Sequence, residues 1–251
     1  MKHITHLSPA LPVHMEDAWF EVATLDHFWI KRRFEVFRTL WRKQKMDANV
    51  AEIGCGHGLV LRQIEKAFGV HADGYDLNEL ALKQADPKCG RLFYYNIHDR
   101  AVSLKQAYQS IFVFDVIEHL EDDKGFLESV LFHLKPGGHL IVNVPANQSL
   151  YSNYDRVLGH QRRYDIGMLR KLCASTGLRI ETWSYWGLMY IPILLLRQQM
   201  MKRVPDSEVT KRGFAPQSTL SNQLLLFLGR MELLPNHLAG ASVMAILKYE
   251  K

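Results

Sequence analysis

The run Val50-Ala-Glu-Ile-Gly-Cys-Gly-His-Gly58 limits the fold more than any other part of the chain. A short apolar strand passes directly into alternating glycines, and a helical pattern of Leu59, Leu61, Ile64, Ala67 and Phe68 follows. Gly54 and Gly56 let the backbone turn sharply and approach a ligand with no Cβ in the way. Gly58 permits close packing at the helix start. The next apolar run ends in Gly74-Tyr75-Asp76, which sets a carboxylate 22 positions after Gly54. An ionised carboxylate is a double acceptor and suits the two hydroxyls of a ribose. Many ligands use such a turn, and a plain tight turn with Asp76 as a helix cap is the competing reading.

The rest of the chain extends this unit. Apolar, β-branched runs recur at Val50–Ile53, Val70–Tyr75, Leu92–Ile97, Ser110–Asp115, His139–Val144 and Leu178–Ser184, and a final run at Ala241–Tyr249 closes the series. Helical spacing lies between several of them. Asp122 or Asp123 can cap a helix burying Phe126, Val130, Leu131 and Leu134, ended by Pro136-Gly137-Gly138. Asp165 can cap one burying Ile166, Leu169 and Leu172 before Gly177. Alternation of this kind predicts an α/β fold, Rossmann-like and doubly wound, whose ligands bind beyond the carboxyl ends of the strands.

Two regions stand outside the alternation. Residues 1–46 read as an N-terminal arm of one or two helices, rich in aromatic and basic side chains such as Trp19, Phe20, Trp29, Arg33 and Trp41. Residues 47–251 form the main domain, interrupted at 187–239 by two apolar helical patterns around LMYIPILLL and QLLLFLGRMELL. The polar stretch VPDSEVTKRGFAPQST separates them.

Composition excludes other classes. A chain of 251 residues, 47% hydrophobic and 23% charged, can bury about 70–75% of its unfolded surface, which rules out a disulfide mini-protein, a collagen-like repeat and a disordered tail. The charge balance, 31 − 26 = +5, tolerates an anionic partner without requiring one. Cys55, Cys89 and Cys173 are too scattered for a disulfide framework or a CxxC metal site, so a reducing cytoplasm is the expected compartment. The N-terminus lacks the apolar core of a secretory signal. The run Gly187–Leu196, broken by Pro192 and followed by Arg197, is too short to span a bilayer but could rest on one.

These residues, from about Asp47 to Gly187 with the closing strand, resemble the class I S-adenosylmethionine-dependent methyltransferases. Glu52 with GxGxG matches that family's acidic first motif, in place of the GxGxxG of dinucleotide enzymes. The resemblance implies a mostly parallel seven-stranded sheet with an antiparallel last strand, and S-adenosyl-L-methionine as cofactor. It implies that Glu52, Gly54, Cys55 and Gly56 line the methionine part and that Asp76 and Leu77 hold the ribose side. Asn96, Ile97 and Asp99 then border the adenine, with Ile97 on the purine and Asp99 accepting from its amine. Asp115 closes the cofactor side, in the segment Phe114-Asp-Val-Ile-Glu-His119 after strand four.

Methyl transfer asks the protein to align an acceptor and, where that acceptor is protonated, to remove its proton. Were the segment after Phe114 helical, Asp115, Glu118 and His119 would share one face at i, i+3 and i+4. Their order resembles the acid-x-x-Glu-His pattern of ubiquinone-biosynthesis and small-RNA O-methyltransferases, where such side chains hold a divalent ion. A metal site at these three and a metal-free general base at His119 are the two readings. The polar loop from Pro145 to Asp165 resembles a bacterial branch of the family with a GHxRRY segment, here Gly159 to Tyr164. It offers His160 as a second catalytic candidate and Tyr151, Tyr154, Arg163 and Tyr164 as substrate-binding ones. An internal salt bridge of Asp155 with Arg162 or Arg163 is the structural alternative. The expected reaction is O-methylation of a small molecule whose apolar part is housed by 187–239, a segment that could also form a dimer face or touch lipid. The alternatives are an RNA 2'-O-methyltransferase, weakened by the small charge excess, and a regulatory protein that binds the cofactor without turnover.

Overall fold

The computed structural model describes residues 4–10, 23–86, 90–214 and 218–250. Cys89, Trp19 and Phe20, with the stretch 11–22 of the expected arm, lie outside the described residues. Among the described residues, eight strands are β1 (Ile4–His6), β2 (Val50–Ile53), β3 (Asp73–Asp76), β4 (Leu92–Tyr94), β5 (Tyr108–Phe114), β6 (Leu134–Pro145), β7 (Leu178–Trp186) and β8 (Ser242–Tyr249). They form one sheet in the order β1-β4-β3-β2-β5-β6-β8-β7. All pairings are parallel except those of β8, which runs antiparallel to β6 and β7. The fold is Rossmann-like, with one strand more than the seven expected. Ile4–His6 pairs with Leu92–Tyr94 in register and adds an edge strand where the sequence suggested only helices. Three residues are too few for a periodic signal to be read.

The strands alternate between two cores, as a period of two residues requires. Ile111 and Val113 face one side with Leu140, Val142, Val243, Ala245 and Leu247, and with the helices α4 (Asp123–His133) and α6 (Ile166–Thr176). Phe112, Phe114, Ile141, Met244 and Ile246 face the other, against α1 (Phe28–Trp41) and α2 (Leu59–Phe68). Asp122 and Asp165 cap α4 and α6, and α6 ends at Gly177 in the left-handed conformation that lets the chain re-enter the sheet. Leu134, expected on the apolar face of α4, instead opens β6, where it pairs with Tyr108.

The remaining described helices are α3 (Glu79–Gln84), α5 (Asn153–Val157), α7 (Ile191–Met201), α8 (Asp206–Phe214) and α9 (Thr219–Arg230). The last three occupy the 187–239 insertion. Most of the polar stretch expected to separate two helices is itself the helix α8, supported by Asp206 and Glu208 in its first turn and a Glu208–Arg212 pair. Helix α9 lies on α1: Asn222 accepts from Phe28 N at 2.8 Å, and Arg230 pairs with Glu35. Leu225, Leu226 and Leu228 pack against the core on that side.

Candidate functional site

The carboxyl ends of β2 to β6 converge on two adjoining cavities. Gly54 follows β2 at φ 77°, and a Cβ built there would lie 2.4 Å from Val116 Cγ2, so the loop after β5 presses on the glycine turn with no room for a side chain. Asp76 ends β3 and anchors that turn. Its Oδ2 accepts from Gly56 N at 2.6 Å and its Oδ1 from Asn78 N at 2.7 Å. Burial raises the Asp76 pKa, and the backbone donors oppose that rise. Each carboxylate oxygen has a second lone pair, so both can still accept from a ligand hydroxyl.

The first cavity, about 340 Å³, is lined by Glu52, Gly54, Cys55, Gly56, Asp76, Leu77, Asn96, Ile97 and Asp115. Asp99 is the one residue assigned to the cofactor that does not line it. Its Oδ2 accepts from Ser8 Oγ at 2.5 Å, and Ser8 Oγ also accepts from Asn96 N at 2.8 Å. The segment after β1 therefore takes up Asp99, and His98 and Phe126 stand at the cavity wall. Glu52 Oε2 is buried without a partner among the described residues. Burial pushes the Glu52 carboxyl well above its usual range, with the Arg33 charge working against it.

Arg33, from α1, reaches the same cavity. Its guanidinium lies over the Phe114 ring at 5.0 Å and donates to Asp115 Oδ2 at 2.5 Å. Asn143 Nδ2 donates to Asp115 Oδ1 at 2.6 Å, and Trp186 Nε1 donates to Asn143 Oδ1 at 2.8 Å. Asp115 has φ 56°, and only a single 3-10 turn, Ile117–His119, follows. The expected common helical face of Asp115, Glu118 and His119 is absent, because the spacing implies a face only where the backbone is helical, and Asp tolerates the left-handed region.

The second cavity, about 120 Å³, meets the first at Asp115 and His119. Glu118, His160, Tyr154, Arg163, Trp29 and Arg197 also line it. The rings of His119 and His160 stand edge to face, and ligand atoms of Glu118, His119 and His160 lie within 4.8 Å of one another. His160 thus takes the place expected of Asp115 in a metal-ligand group. Glu118 is fully buried, neither carboxylate oxygen has a partner among the described residues, and burial raises its pKa well above the usual range. Burial, aided by His160, lowers His119 to about 4. His160 Nδ1 lies 3.0 Å from Asp155 Oδ1, which also takes Arg163 at 2.8 Å. Burial works to raise Asp155, but the bonds from His160 and Arg163 override it and hold it at about 2. A carboxylate on Nδ1 orients the ring and leaves Nε2 for a proton or a metal. The three oxygen and nitrogen donors suit a divalent ion, and the unpartnered Glu118 oxygens fit that use.

Of the expected substrate residues, Tyr154 and Arg163 line the second cavity. Tyr151 and Tyr164 line neither cavity. Tyr151 donates to His160 O at 2.7 Å and braces the loop, and Tyr164, 1% exposed, donates to Asp123 Oδ2 at 2.8 Å. The salt-bridge alternative is also realised, since Arg163 pairs with Asp155, while Arg162 pairs with Asp123 at 3.0 Å. Sequence reasoning missed Trp29, Arg33, Asn143 and Arg197 as site residues. A lone Asn inside the buried run Leu-Ile-Val-Asn-Val was a usable signal.

The model of a family described as a methyltransferase domain matches residues 23–183. The chain is 28% identical over 106 residues to phosphoethanolamine N-methyltransferase 2 of Caenorhabditis elegans, covering 40% of this chain and 24% of that protein. It is 24% identical over 134 residues to the mitochondrial ubiquinone biosynthesis O-methyltransferase of Schizosaccharomyces pombe, covering 50% and 48%. The chain spans less than two thirds of the length of the curated relatives it matches. A SAM dependent methyltransferase from Archaeoglobus fulgidus superimposes with a TM-score of 0.54 at 16% identity, over 88% of this chain and 93% of that one.

Proposed function

The chain belongs to the methyltransferase-domain family, and on that premise we propose that it transfers the methyl group of S-adenosylmethionine to an oxygen of a small, partly apolar molecule. One observation carries the reading: the cavity lined by the glycine turn and Asp76 meets a second cavity at Asp115 and His119. The first cavity is of the size that small-molecule sites have, and the cradle at Gly54 and the unpartnered Glu52 oxygen fit an organic cofactor bearing hydroxyl and amino groups. S-adenosylmethionine supplies a methyl group already activated by its sulfonium. The protein's task is alignment and proton removal. Asp76 would accept from the ribose hydroxyls, and the glycine turn would hold the methionine part. His119 is held neutral by burial and accepts the proton of the acceptor hydroxyl. His160, oriented by Asp155, supports it through the edge-to-face contact of the two rings. Trp29, Leu158 and Leu194 supply the apolar wall.

A second reading, metal-assisted O-methyl transfer, is favoured by the proximity of Glu118, His119 and His160. A divalent ion on these residues would lower the pKa of the acceptor hydroxyl and replace His119 as the means of deprotonation. Formation of S-adenosylhomocysteine against pooled small phenols, lipid extract and RNA, each with and without chelator, tests both readings. Turnover of phenols that survives chelation supports the general base. Loss with chelator and rescue by magnesium or manganese supports the metal, and turnover of RNA alone overturns the small-molecule assignment.

The insertion leaves Leu196, Met200, Leu220, Leu224 and Phe227 exposed outside the second cavity. Exposed apolar side chains of this size suit a second copy or a lipid surface. No helix among the described residues is long and apolar enough to cross a membrane.

A further inference from the structure

Apart from Glu118, whose buried carboxyl is shifted toward its neutral form, the charges of the described residues around the second cavity compensate one another with one exception. Asp115 is paired with Arg33 and bonded by Asn143. Arg163 is paired with Asp155 and donates to Ala146 O at 3.2 Å. Arg197, the charge that closes the apolar run of α7, has no carboxylate within 4.0 Å among the described residues. Its guanidinium lies over the Tyr154 ring at 4.3 Å, and Nη1 donates to Gly213 O at 2.7 Å. Its Nε is sealed from solvent with no acceptor among the described residues, and so is the hydroxyl of Ser242, which lines the same cavity. Buried donors without acceptors are rare, and a half-buried cation without a counter-charge favours an anion beside it. With Nη1 taken, Nε sealed and the plane set over Tyr154, Nη2 is the guanidinium nitrogen, without a hydrogen bond among the described residues, that is left to donate to an oxygen of a carboxylate or phosphate.

We propose that Arg197, with the Ser242 hydroxyl, forms an oxyanion subsite in the second cavity, so that the molecule bound there carries a carboxylate or phosphate beside its apolar body. The proposal rests on the methyltransferase reading for the use of this cavity as the acceptor site, and it names the class of acceptor. Trp29, Leu158 and Leu194 take the apolar body, and Arg197 anchors its charged end. Arg197 belongs to the insertion, so the insertion contributes to substrate selection as well as to covering the cavity.

The test uses the whole chain saturated with S-adenosylhomocysteine, with benzoate, phenyl phosphate and uncharged benzyl alcohol as probes followed by ligand-observed NMR. At least one anion should bind ten-fold or more tighter than benzyl alcohol, and the arm that does so tells carboxylate from phosphate. Arg197→Gln should lose that ten-fold advantage and Arg197→Lys should recover part of it, with S-adenosylhomocysteine affinity unchanged in both. Equal binding of benzyl alcohol and both anions by the parent protein overturns the proposal without any variant. So does an Arg197→Gln protein that binds the cofactor product normally and keeps its preference for anions. Failure of the parent to bind S-adenosylhomocysteine at all would instead strike the methyltransferase reading.

Discussion

The imidazoles of His119 and His160 meet edge to face, with ring centroids 4.7 Å apart and planes at 88°, although 41 residues of sequence separate them. His119 comes from the turn after β5 and stands where the two cavities meet, and His160 comes from the loop after β6 and lines the second cavity. With cofactor saturating, His119→Ala should lower the rate by about 10²–10⁴. His160→Ala should cost less, because His160 lines only the second cavity whereas His119 lines both. If His119→Ala retains full activity while His160→Ala is inactive, the base is His160.

The pH profile carries a separate signature. Burial lowers His119 to about 4, so its neutral, proton-accepting form persists well below the usual imidazole value near 6.5. The rate limited by this group should stay level from pH 7 to about 5 and fall only as pH drops through about 4. A fall centred near 6.5 would show that a solvated imidazole controls the step.

Asp76 is expected to serve cofactor affinity. Asp76→Ala removes both the ribose acceptor and the bond to Gly56 N, and should weaken S-adenosylmethionine binding by roughly 1.5–3 kcal/mol, the scale of a hydrogen bond to a charged group. Calorimetry on the parent and the variant measures this directly. Equal affinity of the parent for NAD would place the first cavity in the dinucleotide class.

Glu118 links the site to stability. Its folded pKa is raised by burial, so its stabilising neutral form is fully present below the unfolded value of about 4.3, and that contribution is lost as pH rises through the folded value. Glu118→Gln keeps the shape and cannot ionise. Its melting temperature should gain on the parent's as pH rises from 4 to 8. Manganese at pH 8 should close the gap if Glu118, His119 and His160 bind it, and a gap independent of pH would mean that Glu118 does not titrate in this range.

Asn143 joins Trp186 to Asp115 and is fully buried. Asn143→Leu leaves the buried Trp186 N–H without an acceptor, so it should destabilise the fold by about 1–3 kcal/mol, the partly exposed Asp115 oxygen adding less. Denaturant titration provides the measurement. An unchanged midpoint would mean that neither bond contributes.

What the sequence determined by itself is what neighbouring residues decide. Alternation of apolar positions marked the strands, Asp122 and Asp165 marked helix starts, and Gly54 marked a turn that no side chain could occupy, since backbone preference and burial period are local. The lining of the first cavity was legible for the same reason, being built from the first residues after successive strands. Only tertiary structure decided that Arg33 would hold Asp115 across 82 residues, that Ser8 would take Asp99, that His160 rather than Asp115 would join Glu118 and His119, and that Arg197 would face the second cavity. Those contacts depend on how separate elements pack, which no local pattern encodes. The left-handed backbone at Asp115 turned a spacing that would have made one helical face into two separate contacts.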